Sequence, residues 1–337
     1  MVPLNWPAVR SAFASRLSVD ARYRDGALFV LLAALFGASF VSIKTGLREL
    51  PPVLFAGLRF DIAAVALLAY VAVSRPRSAW LPRTRGDLLG IASAAAFLIA
   101  LNNGFLFLGQ ETTTPAVASV MYGLNPILAP VFAWWLLGDR LSTVGAVGIG
   151  IALAGVVLIV RPSPSSLADA SSVGQLLVLG AAAAVAVGSV LLRRVGPRME
   201  SVALTAWAMA GGAVLLHVVS LAAGESPATA LGVGPATVAS VVALAIPSTA
   251  VAYAIYFGLI DRVGPVRANL VAYVAPVFAA LTGWLVLGAA VSPWTVVGFA
   301  VVVAGFALIE RQTLAAEVRR VRERRRETPT ATPPCDD

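Results

Sequence analysis

The side chains able to do chemistry are few, and they interrupt stretches that are otherwise almost wholly apolar. Arg59, Asp61 and His217 are ionisable groups inside such stretches. An ionisable group in hydrocarbon is costly, so it faces a cavity or a partner. The guanidinium fork of Arg59 suits a carboxylate or another anionic group. The competing reading is a structural ion pair to Asp61 or Glu111. Arg59 and Asp61 are two residues apart, so they do not share a helix face. His217 is the only histidine, and imidazole is the one side chain that ordinarily titrates near neutrality. It is a candidate for proton coupling, with Asp61 as a rival carrier and a plain interhelical hydrogen bond as the alternative. Asn102 and Asn103 can bond a ligand or hold two helices together. Adjacent residues diverge by about 100° on a helix, so at most one of the pair faces a cavity squarely. Tyr122 and Asn125, then Ser248, Tyr253 and Tyr256, then Tyr273 complete the polar set able to bind a substrate. Packing against lipid or another helix is the competing role for each aromatic ring. Pro126, Pro247 and Pro276 mark helix breaks, where a freed carbonyl can join a site.

This set excludes several chemistries. Nothing resembles a phosphate-binding loop, a dinucleotide fingerprint or a Ser-His-Asp arrangement. The single cysteine, Cys335, and the single histidine allow no disulfide within the chain and no clustered zinc site, so neither a metal nor a cofactor is expected. No enzyme activity is expected. The net charge of +8 could suggest nucleic acid, but the arginines lie in short segments between apolar runs, which fits membrane orientation better.

The elements that must position these residues are membrane spans. The 337 residues are 59% hydrophobic and only 12% charged, whereas a soluble domain carries about 25% charged residues. Ten apolar runs have about the length needed to cross a bilayer: residues 26–44, 53–74, 87–108, 114–137, 141–160, 173–193, 201–223, 236–260, 266–288 and 292–310. The segments between them are polar or rich in Pro and Gly, as in Gly138-Asp139-Arg140 and Gly264-Pro265. Lys44, near the end of the first run, is expected to snorkel to the interface.

The chain also reads twice. A shift of 150 residues brings Ser39 onto Ser189, Phe107 onto Phe257, Pro115 onto Pro265, Pro126 onto Pro276, Trp134 onto Trp284, Gly148 onto Gly298 and Gly155 onto Gly305. Each copy holds five spans, and an odd number inverts the second copy relative to the first. The predicted fold is an all-α membrane protein of ten transmembrane helices in two inverted five-helix repeats, the architecture of alternating-access transporters. The expected divisions are an N-terminal tail (1–25), a first repeat (26–160), a linker outside the cytoplasm (161–172), a second repeat (173–310) and a basic C-terminal tail (311–337). One set of alternate loops, with both tails, collects nearly all the arginines, including seven from Arg311 to Arg326, while the other side has only Lys44, Arg48 and Arg161. Both termini are therefore expected in the cytoplasm of a multi-pass protein of the inner or plasma membrane. The glycine-rich fifth and tenth spans read as packing or dimerisation scaffolds, which leaves a homodimer open.

Three stretches resemble the EamA-type ten-span members of the drug/metabolite transporter superfamily. They are Leu35-Phe36-Gly37-Ala38-Ser39-Phe40-Val41 with Lys44 and Leu58-Arg59-Phe60; Thr114-Pro115-Ala116-Val117-Ala118-Ser119 running into Asn125-Pro126 and Leu137-Gly138-Asp139-Arg140-Leu141; and Gly264-Pro265 through Ala275-Pro276-Val277 to Leu287-Gly288. Asp139 departs from the repeat, being matched by Ala289, and so does Arg59, matched by Met209. The resemblance implies export of a small metabolite, amino acid or drug-like solute by alternating access, coupled to protons or to exchange. Its cavity would be lined by spans 1–4 and 6–9. The rival reading is a lipid scramblase or a membrane binding protein without active transport.

Overall fold

The computed structural model describes residues 6–161, 169–264, 268–311 and 315. Among them there is no strand, and the helices build a ten-helix bundle. We number its spans α1 (Trp6–Gly46, apolar over Tyr23–Gly46), α2 (Pro52–Ser74), α3 (Arg85–Gln110), α4 (Pro115–Leu137), α5 (Thr143–Val160), α6 (Ala170–Val195), α7 (Ser201–Ala222), α8 (Pro235–Ile260), α9 (Val271–Leu287) and α10 (Pro293–Ile309). The first eight are long and apolar enough to cross a bilayer. α9 and α10 have 17 residues each, at the lower end of the spanning range of about 17–25. Helix continues back from Tyr23 to Trp6, so part of the expected N-terminal tail is an extension of α1. Most of the expected linker, Pro265 and nearly all of the basic C-terminal tail lie outside the described residues.

The packing repeats with the sequence. The shift of 150 residues relates α1 to α6, α2 to α7, α3 to α8, α4 to α9 and α5 to α10. α1 packs on α9, as its image α6 packs on α4; α3 packs on α6, as α8 packs on α1; α3 also packs on α7, as α8 packs on α2. Two contacts map onto themselves, α2 with α7 and α5 with α10. The second is made by glycines. A Cβ on Gly155 would stand 2.6 Å from the carbonyl oxygen of Gly298, and one on Gly148 would stand 2.8 Å from that of Gly305. These four residues are two repeat pairs crossing in reversed order. The helices are therefore antiparallel, and the dyad passes between them. The small faces of α5 and α10 are spent on this internal contact, where close backbone approach gains dispersion energy that lipid does not supply.

Polar groups lace the helix ends. Asp87 is buried and accepts hydrogen bonds from the backbone N–H groups of Arg83 (3.1 Å), Thr84 (2.9 Å), Arg198 (2.9 Å) and Met199 (3.1 Å), joining the starts of α3 and α7. At the opposite face Glu225 accepts from the first amides of α2, Val53 (3.1 Å) and Leu54 (2.7 Å). Carboxylates at helix N-termini meet both orphan N–H groups and the positive end of the helix dipole. Lys44 makes the complementary contact. It donates to the carbonyls of Gln110 and Glu111, each at 2.8 Å, at the end of α3. The expected snorkelling lysine thus caps a neighbouring helix.

Gly155→Ala should lower the thermal unfolding temperature of the purified protein by several degrees, since overpacking a tight contact costs about 1–3 kcal/mol. Gly150→Ala on the same helix meets nothing within 4 Å and should leave it unchanged. Unfolding followed by tryptophan fluorescence in detergent checks both.

Candidate functional site

The spans enclose a cavity of about 230 Å³. Its position follows from the repeat. Asn103 and Tyr253, Leu106 and Tyr256, Ser119 and Asn269, Tyr122 and Ala272, and Asn125 and Ala275 all line it, and each pair is 150 residues apart. A cavity lined by both members of five repeat pairs lies across the dyad.

Two helices reach it in non-standard form. α3 is π-helical over Ala94–Leu101 and α8 over Ile246–Val251, and positions 96–101 and 246–251 correspond under the repeat. A π turn bonds i to i+5, widens the helix and leaves carbonyls to be satisfied by other donors. The amide of Asn102 donates to Leu98 O at 2.9 Å and that of Asn103 to Ile99 O at 2.8 Å. In α8 the Thr249 hydroxyl donates to Leu244 O at 2.7 Å. The wider turn precedes both asparagines, and both line the cavity. It also absorbs Pro247, which was expected to kink an α-helix.

Arg59 of α2 reaches the same cavity. Its Nη2 donates to Asn103 Oδ1 at 2.9 Å, and its guanidinium carbon lies 4.3 Å from the ring centre of Phe60 and 5.3 Å from that of Phe107. The expected alternative pairings with Asp61 or Glu111 do not form, and Arg59 has no ion pair among the described residues. The Nε of Arg59, Oδ1 of Asn102 and Oγ of Ser119 are buried without a hydrogen-bond partner among the described residues. The cavity thus offers a cationic donor, an amide acceptor and a hydroxyl. Asn102 also donates to the Tyr122 hydroxyl at 3.3 Å.

One wall is aromatic. The ring of Phe36 lies 6.2 Å from Tyr253 and 6.5 Å from Tyr256, and Phe40 lies 6.0 Å from Tyr122. Tyr256 also hydrogen-bonds Asn269. α4 is broken at Gly123–Leu124, between Pro115–Tyr122 and Asn125–Leu137. The Asn125 amide donates to Tyr122 O at 3.0 Å across that break, and Pro126 occupies the first turn of the second segment, where a missing N–H costs nothing.

Of the residues singled out from sequence, Arg59, Asn102, Asn103, Tyr122, Asn125, Pro126, Ser248, Tyr253 and Tyr256 line this one cavity. Tyr273 does not. Its ring lies 4.1 Å from that of Phe306 on α10, on a part of α9 outside the lining. Pro276, buried in α9, and Pro247, half-buried in α8, are not part of the lining. α7 was expected to line the cavity but stands behind α2 and α3: Gly212 is seated so tightly against α3 that a Cβ would be 2.3 Å from Ile99 Cγ2. His217 of α7 and Asp61 of α2, two rival candidates from sequence, are brought together outside the cavity, with Nε2 2.7 Å from Oδ2. Ser39, Ser119 and Asn269 line the cavity and were not singled out as site residues. Applying the repeat to polar residues of unlike type, as in Ser119 and Asn269, would have found two of them.

Asn103→Leu removes the acceptor of Arg59 and the donor to Ile99 O together. Each orphaned buried group costs about 1–3 kcal/mol, so this variant should unfold at a clearly lower temperature in detergent than Leu106→Met in the same lining.

The family model of the EamA-like transporter family matches residues 24–161 and again 172–311, the two halves seen in the fold. The uncharacterised inner membrane transporter YedA of Escherichia coli strain K12 is 32% identical over 276 residues, covering 78% of this chain and 86% of that protein. An uncharacterised transporter of Archaeoglobus fulgidus is 29% identical, covering 85% and 98%. A protein of Salmonella typhimurium named "Probable amino-acid metabolite efflux pump" is 27% identical, covering 84% and 93%. A crystal structure with 22% identity superposes with a TM-score of 0.59, covering 85% of this chain and 97% of that one, which supports the fold. With ten apolar helices, two matched repeats and transporters as its relatives, this chain is a multi-pass membrane protein that belongs to the EamA-like transporter family.

Proposed function

We propose that this transporter is a secondary active carrier that exports a small organic solute bearing a carboxylate, with both termini in the cytoplasm and with proton coupling or exchange as the driving process. The observation that carries the reading is Arg59, a guanidinium held in a dyad-centred cavity with an amide and two rings for neighbours and no counter-anion among the described residues. An uncompensated charge at that depth is expensive unless a ligand supplies the partner. An incoming carboxylate gains a charge-assisted bond, and the unpartnered Oδ1 of Asn102 can accept from an ammonium or hydroxyl on the same molecule. The aromatic wall of Phe36, Tyr253 and Tyr256 suits an apolar body. The efflux-pump name of the Salmonella relative favours amino acids within this class and outward transport. In the transport cycle, α1–α4 and α6–α9 rock about the dyad while α5 and α10 stay joined as a buttress.

Reconstituted protein should show saturable counterflow of at least one member of a panel of radiolabelled amino acids and 2-oxo acids. Arg59→Ala should lower that counterflow at least about tenfold, equivalent to about 1.4 kcal/mol, and Arg59→Lys should fall between, because a point charge replaces a fork. Unchanged counterflow in Arg59→Ala would remove the carboxylate site. Flux that neither saturates nor shows competition would favour a channel, and lipid movement between leaflets without solute flux a scramblase.

A further inference from the structure

We infer that Asp61 and His217 together form one proton-binding site of the transport cycle, held between α2 and α7 outside the solute cavity. The inference rests on the transporter reading above and adds the coupling ion and its residues. The contact is direct, with His217 Nε2 2.7 Å from Asp61 Oδ2. The ring has a built seat one helical turn before Asp61: a Cβ at Gly57 would stand 2.8 Å from His217 Cε1. Both groups lie within the spans. Asp61 is nine residues past Pro52 and His217 five before Ala222, so the backbone places them about 13 and 8 Å below the shared end of α2 and α7 at 1.5 Å per residue.

Few other charges reach the pair. α7 carries no other charged or titratable side chain over Ser201–Ala222, α3 has none between Leu88 and Gln110, and α8 has only Tyr253 and Tyr256 over Pro235–Ile260. On α2 the remaining groups are Tyr70, more than two turns further on, and Arg59, which turns to the cavity and bonds Asn103. Glu225 is engaged by the first amides of α2. The pair therefore sets its own charge. With the imidazole neutral and Asp61 ionised, the site carries −1; one proton from water, on either partner, brings it to zero, and its release restores −1. Hydrocarbon favours the neutral form strongly, so the proton decides how readily α2 and α7 move past lipid. α2 carries Arg59 on one face and Asp61 on another, so one helix feels both solute and proton.

The repeat argues against a purely structural bond. Asp61 corresponds to Gly211 and His217 to Leu67, so the self-mapped α2–α7 contact carries this pair once and manages without it at the equivalent place.

Two measurements on the full chain test the assignment. Because His217 is the only histidine, protein labelled with ¹⁵N-histidine in nanodiscs gives one imidazole titration. Asp61→Asn should change that titration, since it removes the group 2.7 Å from the ring; a titration identical in wild type and variant overturns the pair. In liposomes, [¹⁴C]L-phenylalanine is followed both as counterflow and as accumulation driven by a pH gradient. Asp61→Asn and His217→Gln should lose gradient-driven accumulation at least tenfold while counterflow persists. Equal loss of both activities assigns a structural role and overturns the inference, as does accumulation retained by the variants. Wild-type counterflow that ignores the gradient leaves the transporter reading standing and removes the proton site; wild-type protein with no counterflow of any panel solute removes both.

Discussion

A guanidinium cannot sit bare in the middle of a bilayer, and the arrangement around Arg59 follows from that constraint. Arg59 lies seven residues past the start of α2 at Pro52, about 10 Å into the span, where a charge needs polar neighbours. The fold supplies them by opening α3 into a π turn, whose freed carbonyls hold the amides of Asn102 and Asn103 in place. Asn103 then turns its oxygen to Arg59. The site is stabilised by the same hydrogen bonds that repair the helix. The freed carbonyls of the helix and the amides of the cavity thus satisfy each other.

The dyad explains why the cavity is where it is. Two inverted halves meet at α5–α10 through paired glycines and at α2–α7 through faces that carry the Asp61–His217 contact, and the helices between these seams leave a shared space. The backbone solution is common to both halves, including the π turns of α3 and α8. The chemistry is not. Arg59 faces Met209 across the repeat, Asn102 faces Ala252, Asp61 faces Gly211 and His217 faces Leu67. Packing preserved the frame in duplicate, while the ionisable groups within the spans, Arg59, Asp61 and His217, each expensive in lipid, appear once. A symmetric scaffold with an asymmetric lining suits a carrier that must bind one solute in two orientations of its frame.

Much of this was legible before any coordinates. Span number and the inverted repeat follow from apolar length and from matches such as Gly148 with Gly298 and Gly155 with Gly305, because lipid tolerates few other patterns. Nine of the singled-out residues share one cavity because polar groups in spans have few other places to go. What the sequence hid was local backbone form. A π turn has no composition of its own, so the joint reach of Asn102 and Asn103 could not be read from helical spacing. Tyr273 failed for a different reason: one residue's rotation about α9 decides between the cavity and Phe306, and the repeat gave only its position along the axis. The meeting of His217 with Asp61 depends on two helices 150 residues apart touching at a glycine, which pattern alone does not reveal.

The proposed transport cycle requires that the one cavity shared across the dyad be reached in turn from the two faces of the membrane. Ser119 and Asn269 are repeat mates in its lining, and Cys335 is the only native cysteine. In a Cys335→Ser background, Ser119→Cys and Asn269→Cys in proteoliposomes would be treated with a membrane-impermeant thiol reagent from either side. A cavity of this kind makes both positions reactive from both faces. Reaction of one position only from one face and of the other only from the opposite face would show two separate vestibules, and the shared cavity would have to be abandoned.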